Sequence, residues 1–188
     1  MNSEIGRATT LLDRHHTVSS LYNMVNVPTG VWVNEKGRIV RPGEVAYSSD
    51  KSFTVGGKTL TIQGDIYVTA LRDWVEKGEK SAYALTREDL AKRLKGRGQA
   101  EAEADCSFKL GVYFHEAGKP ELATKYWKRA QELNPESWNY HRQDWSFTPA
   151  EAGKKWFAKF LGLDWRPYYA PLELRNPRKN SYASRLAR

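Results

Sequence analysis

The sequence predicts an α+β chain, with strands in its first half and helices alone in its second. Three observations carry that reading. Two stretches of β-branched and aromatic residues, at 29–41 and 51–63, each fold about a glycine-containing turn. From Ala100 onward the apolar residues recur at helical spacing. The stretches between them end in Thr, Pro and Gly, where helix caps belong.

The 188 residues suit one ordinary domain or two small ones. A hydrophobic fraction of 40% is enough to bury a core. A charged fraction of 28% and a mean hydropathy of −0.70 argue against a membrane protein. No apolar run approaches the roughly 20 residues of a spanning helix. Residues 1–7 hold no apolar leader, so a cytoplasmic setting is the expectation. Seven Trp, ten Tyr and six Phe argue for a packed chain rather than a disordered one. The single cysteine, Cys106, excludes an intrachain disulfide, a Cys-x-x-Cys pair and a multi-cysteine zinc site.

The elements read as follows. Residues 13–24 form a short helix capped by Asp13, with Val18, Leu21 and Tyr22 on one face. Residues 29–33 are a strand, Asn34-Glu35-Lys36-Gly37 a turn, and Arg38 to Arg41 the return strand, ended by Pro42-Gly43. Phe53-Thr54-Val55 and Thr59 to Ile62 flank Gly56-Gly57-Lys58 as a second hairpin. Residues 64–77 are an amphipathic helix closed by Gly78. Residues 86–95 are another, with Thr86 as cap, Asp89 three positions on, and Leu85 and Leu90 as a hydrophobic staple. Gly96-Arg97-Gly98 is a hinge. Helices at 100–117 and 120–133 are split by Gly118-Lys119-Pro120, and a third spans 149–161 with Gly162 as its C′ residue. Three units result: 11–80, 86–162, and an aromatic, basic tail at 163–188. The tail is expected to pack on the helices as far as Leu174 and to be mobile beyond.

The net charge of +8 is concentrated. Arg166, Arg175, Arg178, Lys179, Arg185 and Arg188 lie in 164–188, and Arg87, Lys92, Arg93, Lys95 and Arg97 lie in 87–97. Such clusters suit nucleic acid or an acidic surface, but equally a solvated helix face and tail. Trp138, Tyr140, Trp145, Trp156 and Trp165, interleaved with Arg142 and Lys155, could stack on single-stranded nucleic acid. An aromatic helical core explains them better. His15 and His16 point about 100° apart on a helix and make a poor metal pair. His115 and His141 have no ligand at metal spacing, so neither a metal nor a cofactor is expected. Cys106 is expected to be a small core residue rather than a reactive thiol.

Two stretches resemble known families. Leu110-Gly111, Phe114, Gly118, Ala123, Trp127, Ala130 and Pro135 follow the order and spacing of a tetratricopeptide repeat over residues 104–137. Ser107 stands where that family has a large aromatic, with Phe108 beside it. The resemblance implies two closely packed helices, with Gly111 and Ala123 admitting Phe114 and Trp127 to the seam. Leu11-Leu12-Asp13, Tyr22, Val27-Pro28-Thr29, Val31-Trp32-Val33, Gly37 and Arg38-Ile39-Val40 resemble the second half of a thioredoxin-like redoxin of the TlpA/ResA type. This implies an incomplete αββα half-fold with residues 64–77 as its last helix. It also implies a cis Pro28 and a substrate-binding segment Val27-Pro28-Thr29, the Val27 backbone pairing with an extended substrate. The unit that carries the Cys-x-x-Cys nucleophile in that family has no counterpart here.

The function expected is a non-catalytic protein-interaction module with no catalytic residues of its own. The alternative is part of a thiol–disulfide oxidoreductase whose cysteines lie upstream. Expected partners are another protein, the missing half or a second copy, because a half-sheet exposes an edge and an apolar face. A membrane partner is not expected.

Overall fold

The computed structural model describes residues 10–55, 57–94, 96–164, 166–169 and 172–174. The architecture is α+β. A short α1 (Thr17–Leu21) precedes β1 (Thr29–Val33), β2 (Ile39–Val45), β3 (Lys51–Val55) and β4 (Lys58–Ile62). Then come α2 (Gly64–Lys77), a 3-10 turn (Gly78–Lys80), α3 (Arg87–Arg93), α4 (Gln99–Glu116), α5 (Pro120–Leu133), α6 (Trp138–Ser146) and α7 (Pro149–Leu161). Among the described residues no helix is long and apolar enough to cross a membrane.

The strands form two separate antiparallel hairpins, β1–β2 and β3–β4. The β3–β4 register is unbroken from Lys51↔Ile62 to Val55↔Lys58. The β1–β2 register shifts on both sides of the Trp32↔Arg41 pair. These irregularities let β2 run through Pro42-Gly43 to Val45, past the stop expected at Arg41. Gly37 and Gly78 take the positive φ that their turns require.

Other boundaries also differ from expectation. The Asp13 carboxylate accepts the N–H groups of Thr17, Val18 and Ser19 at 2.8, 3.2 and 2.9 Å. It therefore caps α1 from four residues upstream, and the helix starts at Thr17 rather than at residue 13. Burial opposes ionisation there, but those backbone donors outweigh it and hold the carboxyl below its usual range. Leu11 and Leu12 form no strand; they are 82% and 90% exposed, and no neighbouring ladder receives them. Gly162 ends α7 at φ −70, and Asp164 two residues on takes the left-handed turn instead.

Three buried clusters hold these elements together. Phe108, Ala123, Trp127 and Ala130 form the seam between α4 and α5. The α4 side of that seam runs through Ala104, Phe108 and Gly111, the i, i+4, i+7 stripe of a helix. Trp32, Tyr67, Ala70 and Leu174 pack α2 and the C-terminal segment onto the first hairpin. Ile62, Trp138, Trp145, Leu163, Tyr168 and Tyr169 join the second hairpin to α6 and α7. The first-half hairpins are thus covered by this chain's own helices and C-terminal segment. Residues on both sides of Gly96–Gly98 share the last cluster.

Arg41 sits at the centre of the hairpin region with none of its side chain exposed. Its guanidinium donates to both carboxylate oxygens of Glu44, at 2.9 and 2.5 Å, and to the backbone carbonyls of Tyr83 at 2.6 Å and Glu173 at 2.8 Å. It also lies 5.3 Å from the Trp32 ring centroid. A buried charge is tolerated only when so paired, and removing one partner costs about 3–5 kcal/mol.

Two variants test this packing by urea unfolding. Arg41→Met is expected to lose about 3–5 kcal/mol, because it leaves the Glu44 carboxylate with only the more distant Arg93 and takes the donor from two carbonyls. Adding Glu44→Leu should recover part of that loss; strictly additive losses would refute the coupling. In α4, a Cβ on Gly111 would run into the buried Trp127 indole. Gly111→Ala should therefore destabilise by about 1–2 kcal/mol, despite a helix-propensity gain of about 1 kcal/mol.

Candidate functional site

Val27 and Pro28, of the segment Val27-Pro28-Thr29 singled out in the sequence, line an open groove of about 590 Å³; Thr29 is not among the residues that line it. The Val27–Pro28 peptide is cis. The groove's other walls come from far along the chain: Tyr47 after β2, Phe53 of β3, Arg142 of α6, Trp156 of α7, and Tyr168 and Tyr169.

Backbone hydrogen bonds fix the segment. Asn26, itself buried, accepts the Val27 N–H on its Oδ1 at 2.9 Å and donates from Nδ2 to the Tyr168 carbonyl at 3.0 Å. The Thr29 hydroxyl donates to the Asn26 carbonyl at 2.5 Å. The Ala46 N–H donates to the Pro28 carbonyl at 3.3 Å. From α6, Asn139 donates through its N–H to Val25 at 3.2 Å and through Nδ2 to Met24 at 2.5 Å. The Val27 carbonyl accepts from the Tyr169 hydroxyl at 3.0 Å and from Arg142 Nη1 at 3.4 Å. Both backbone groups of Val27 that an extended substrate would use thus have partners within the chain. Its side chain remains 47% exposed.

The aromatic walls are wired by direction. Tyr169 gives its proton to Val27, so at the 3.0 Å contact between the two hydroxyls Tyr47 is the donor. Burial, and next its bond to Tyr47, push the Tyr169 hydroxyl far above its ordinary range, so it stays a donor. The Tyr168 hydroxyl receives Arg142 Nη2 and, at 3.3 Å, Trp156 Nε1. The Tyr168 ring is held edge-on to Trp138 at 4.5 Å and to Trp156 at 5.9 Å.

The remaining sequence candidates lie elsewhere. Gly111, Ala123, Trp127 and Ala130 meet in the α4–α5 seam, and Phe114 packs beside it. Phe108 fills the seam where the repeat pattern has an aromatic one position earlier, and Ser107 is buried next to it. Gly118 makes the turn between the helices and Pro135 follows the end of α5. Leu110 falls off the buried stripe and is 40% exposed, so it contributes little to the seam. Cys106 is exposed on α4, not the core residue expected, because the stripe passes through Ser107 and Phe108 instead. It does not line the groove. Among the described residues no group of three His, Cys, Asp or Glu side chains could hold a metal ion. Trp165 and the tail from Arg175 to Arg188 lie outside the described residues. Tyr47, Phe53, Tyr168 and Tyr169 carried no site signal in the sequence. Arg142 and Trp156 did stand out, as a cation among aromatics, but their meeting with Pro28 depends on tertiary packing.

Comparison with protein-family models, with curated proteins and with solved structures returns no match.

His141 adds a pH dependence next to this site. Its ring packs on Trp145 at 5.4 Å, and its Nε2 is buried with no hydrogen-bond partner among the described residues. Burial, with a smaller push from Lys159, lowers its pKa from 6.5 to about 4. The unfolded chain therefore binds this proton first as pH falls. The His141 contribution is complete above pH 6.5, is lost progressively down to about pH 4, and levels off below. Because the ring is partly solvated, about 1–2 kcal/mol is expected rather than the full shift. Urea midpoints at pH 4, 5, 6 and 7 should fall less steeply for His141→Leu than for the parent chain. Equal slopes would refute this assignment.

Proposed function

We propose that this chain is a redoxin-like protein-interaction module without thiol chemistry of its own, and that the Val27–Pro28 groove holds a segment of another protein. One observation carries the reading: an open aromatic groove lies beside the segment that the redoxin resemblance assigns to substrate, with no sulfur among the described residues of its walls. Thiol–disulfide exchange needs an attacking thiolate and normally a resolving partner. The one cysteine stands on α4 instead. The groove's half-buried side chains, Tyr47, Phe53 and Trp156, are the kinds of residue that anchor peptides. With Val27 saturated by Asn26, Tyr169 and Arg142, side chains rather than strand pairing supply the contacts.

The test is binding of the full chain to an array of acetylated, amidated pentapeptides. The parent chain should select a subset of them. Trp156→Ala should weaken the selected peptides at least about tenfold, the loss typical of a central aromatic anchor. A disulfide-reduction assay should give the same background rate for the parent chain and Cys106→Ser. Failure to select any peptide, or Cys106-dependent turnover, would overturn the reading.

A further inference from the structure

The donors and acceptors in the groove do not balance. The Tyr168 hydroxyl receives two N–H donors, from Arg142 and from Trp156. A hydroxyl has one proton to give, and among the described residues that of Tyr168 has no acceptor. Tyr168 is only 8% exposed as a residue, and its hydroxyl is partly buried, so this proton is a partly shielded donor at the groove wall. The other bond of Arg142 is a 3.4 Å contact to a carbonyl already held by Tyr169 at 3.0 Å. Among the described residues no carboxylate lies within 4 Å of Arg142, whereas Arg41, Arg93, Arg97, Arg129 and Arg166 each have one. Among the described residues no acidic side chain lines the groove. A half-buried guanidinium beside a spare hydroxyl proton is a site short of one anionic acceptor.

The apolar half of the groove sets what accompanies that acceptor. Pro28, Tyr47, Phe53 and Trp156 offer flat walls, and Trp156 is itself braced by stacking on Phe160 at 5.0 Å. A ring entering between them would bury apolar area and meet these faces in stacked or edge-on contact. A carboxylate next to that ring would reach the Arg142 fork and the Tyr168 proton, giving charge-assisted bonds.

We infer that the groove selects a peptide segment carrying an Asp or Glu beside an aromatic residue, with the carboxylate held by Arg142 and Tyr168. This rests on the reading of the groove as a protein-binding site and specifies its ligand.

The pentapeptide array decides both points separately. Selected peptides should be enriched in Asp or Glu adjacent to Phe, Tyr or Trp. In solution, monitored by tryptophan fluorescence, an Asp-containing selected peptide should bind at least about fivefold tighter than its Asn counterpart at low salt. The gap should narrow as salt rises. Arg142→Gln should abolish the gap, and Arg142→Lys should keep part of it. Should Arg142→Gln not fold, the Asp/Asn pair on the parent chain still decides. Selected peptides without acidic preference, or equal binding of the pair, would overturn this inference and leave the protein-binding groove standing. An array with no peptide selected would overturn both.

Discussion

The buried Arg41 is the interaction on which most of the molecule's arrangement depends. Its one guanidinium reaches β2 through Glu44, the loop before α3 through the Tyr83 carbonyl, and the C-terminal segment through the Glu173 carbonyl. Arg93 of α3 lies 3.7 Å from the same Glu44 and 2.9 Å from Glu173, so a second cation closes the circuit. Dense pairing is what a fully desolvated charge demands. The consequence is geometric. The register-shifted Trp32↔Arg41 pair places the indole on one side of the hairpin, where Tyr67 and Trp74 of α2 pack against it. The position of α2 and that of the C-terminal segment are therefore set by the same residue.

That C-terminal segment also makes the groove. Tyr168 and Tyr169 reach the Val27–Pro28 segment, while Leu174, a few residues on, belongs to the hairpin core. The groove is thus a product of how hairpins and helices are tied, not of one local motif. Its polar groups follow the same logic. The Asn26 side chain spans the Val27 N–H and the Tyr168 carbonyl, and without it both would lose this partner.

Elements with a strong period or a strong cap were legible in the sequence. Both hairpins announced themselves through glycine turns, α2 through its apolar stripe, α3 through Thr86, and α4 and α5 through Pro120 and the spacing of small residues. The helix α6 was not read, because Trp138 and Trp145 lie a full two turns apart with Asn139, Arg142, Gln143 and Asp144 between them. A run that polar has no visible stripe until neighbours cover its two ends. At α1 the N-cap position is His16, not Asp13; the Asp13 carboxylate reaches N–H groups several residues on, so the helix starts later than its capping residue suggests. The groove was half legible. Pro28 was marked by resemblance, and Arg142 by its aromatic company. That Tyr47, Phe53, Tyr168 and Tyr169 join them follows from contacts across more than a hundred residues, which no local pattern encodes.

The reach of the C-terminal segment has a consequence for biogenesis. The bonds from Asn26 to Tyr168 and from Tyr169 to Val27 each span 142 positions, and that from Arg41 to Glu173 spans 132. On the ribosome, at about 5–20 residues per second, the hairpins emerge many seconds before these partners exist. The helical hairpin α4–α5 and the β-hairpins can close early, since their contacts are local. The groove cannot. Arg41 also waits, short of one carbonyl, until Glu173 is made. Closure of the groove is thus coupled to synthesis of Tyr168 and Tyr169, and a nascent chain displays its hairpins well before the groove exists.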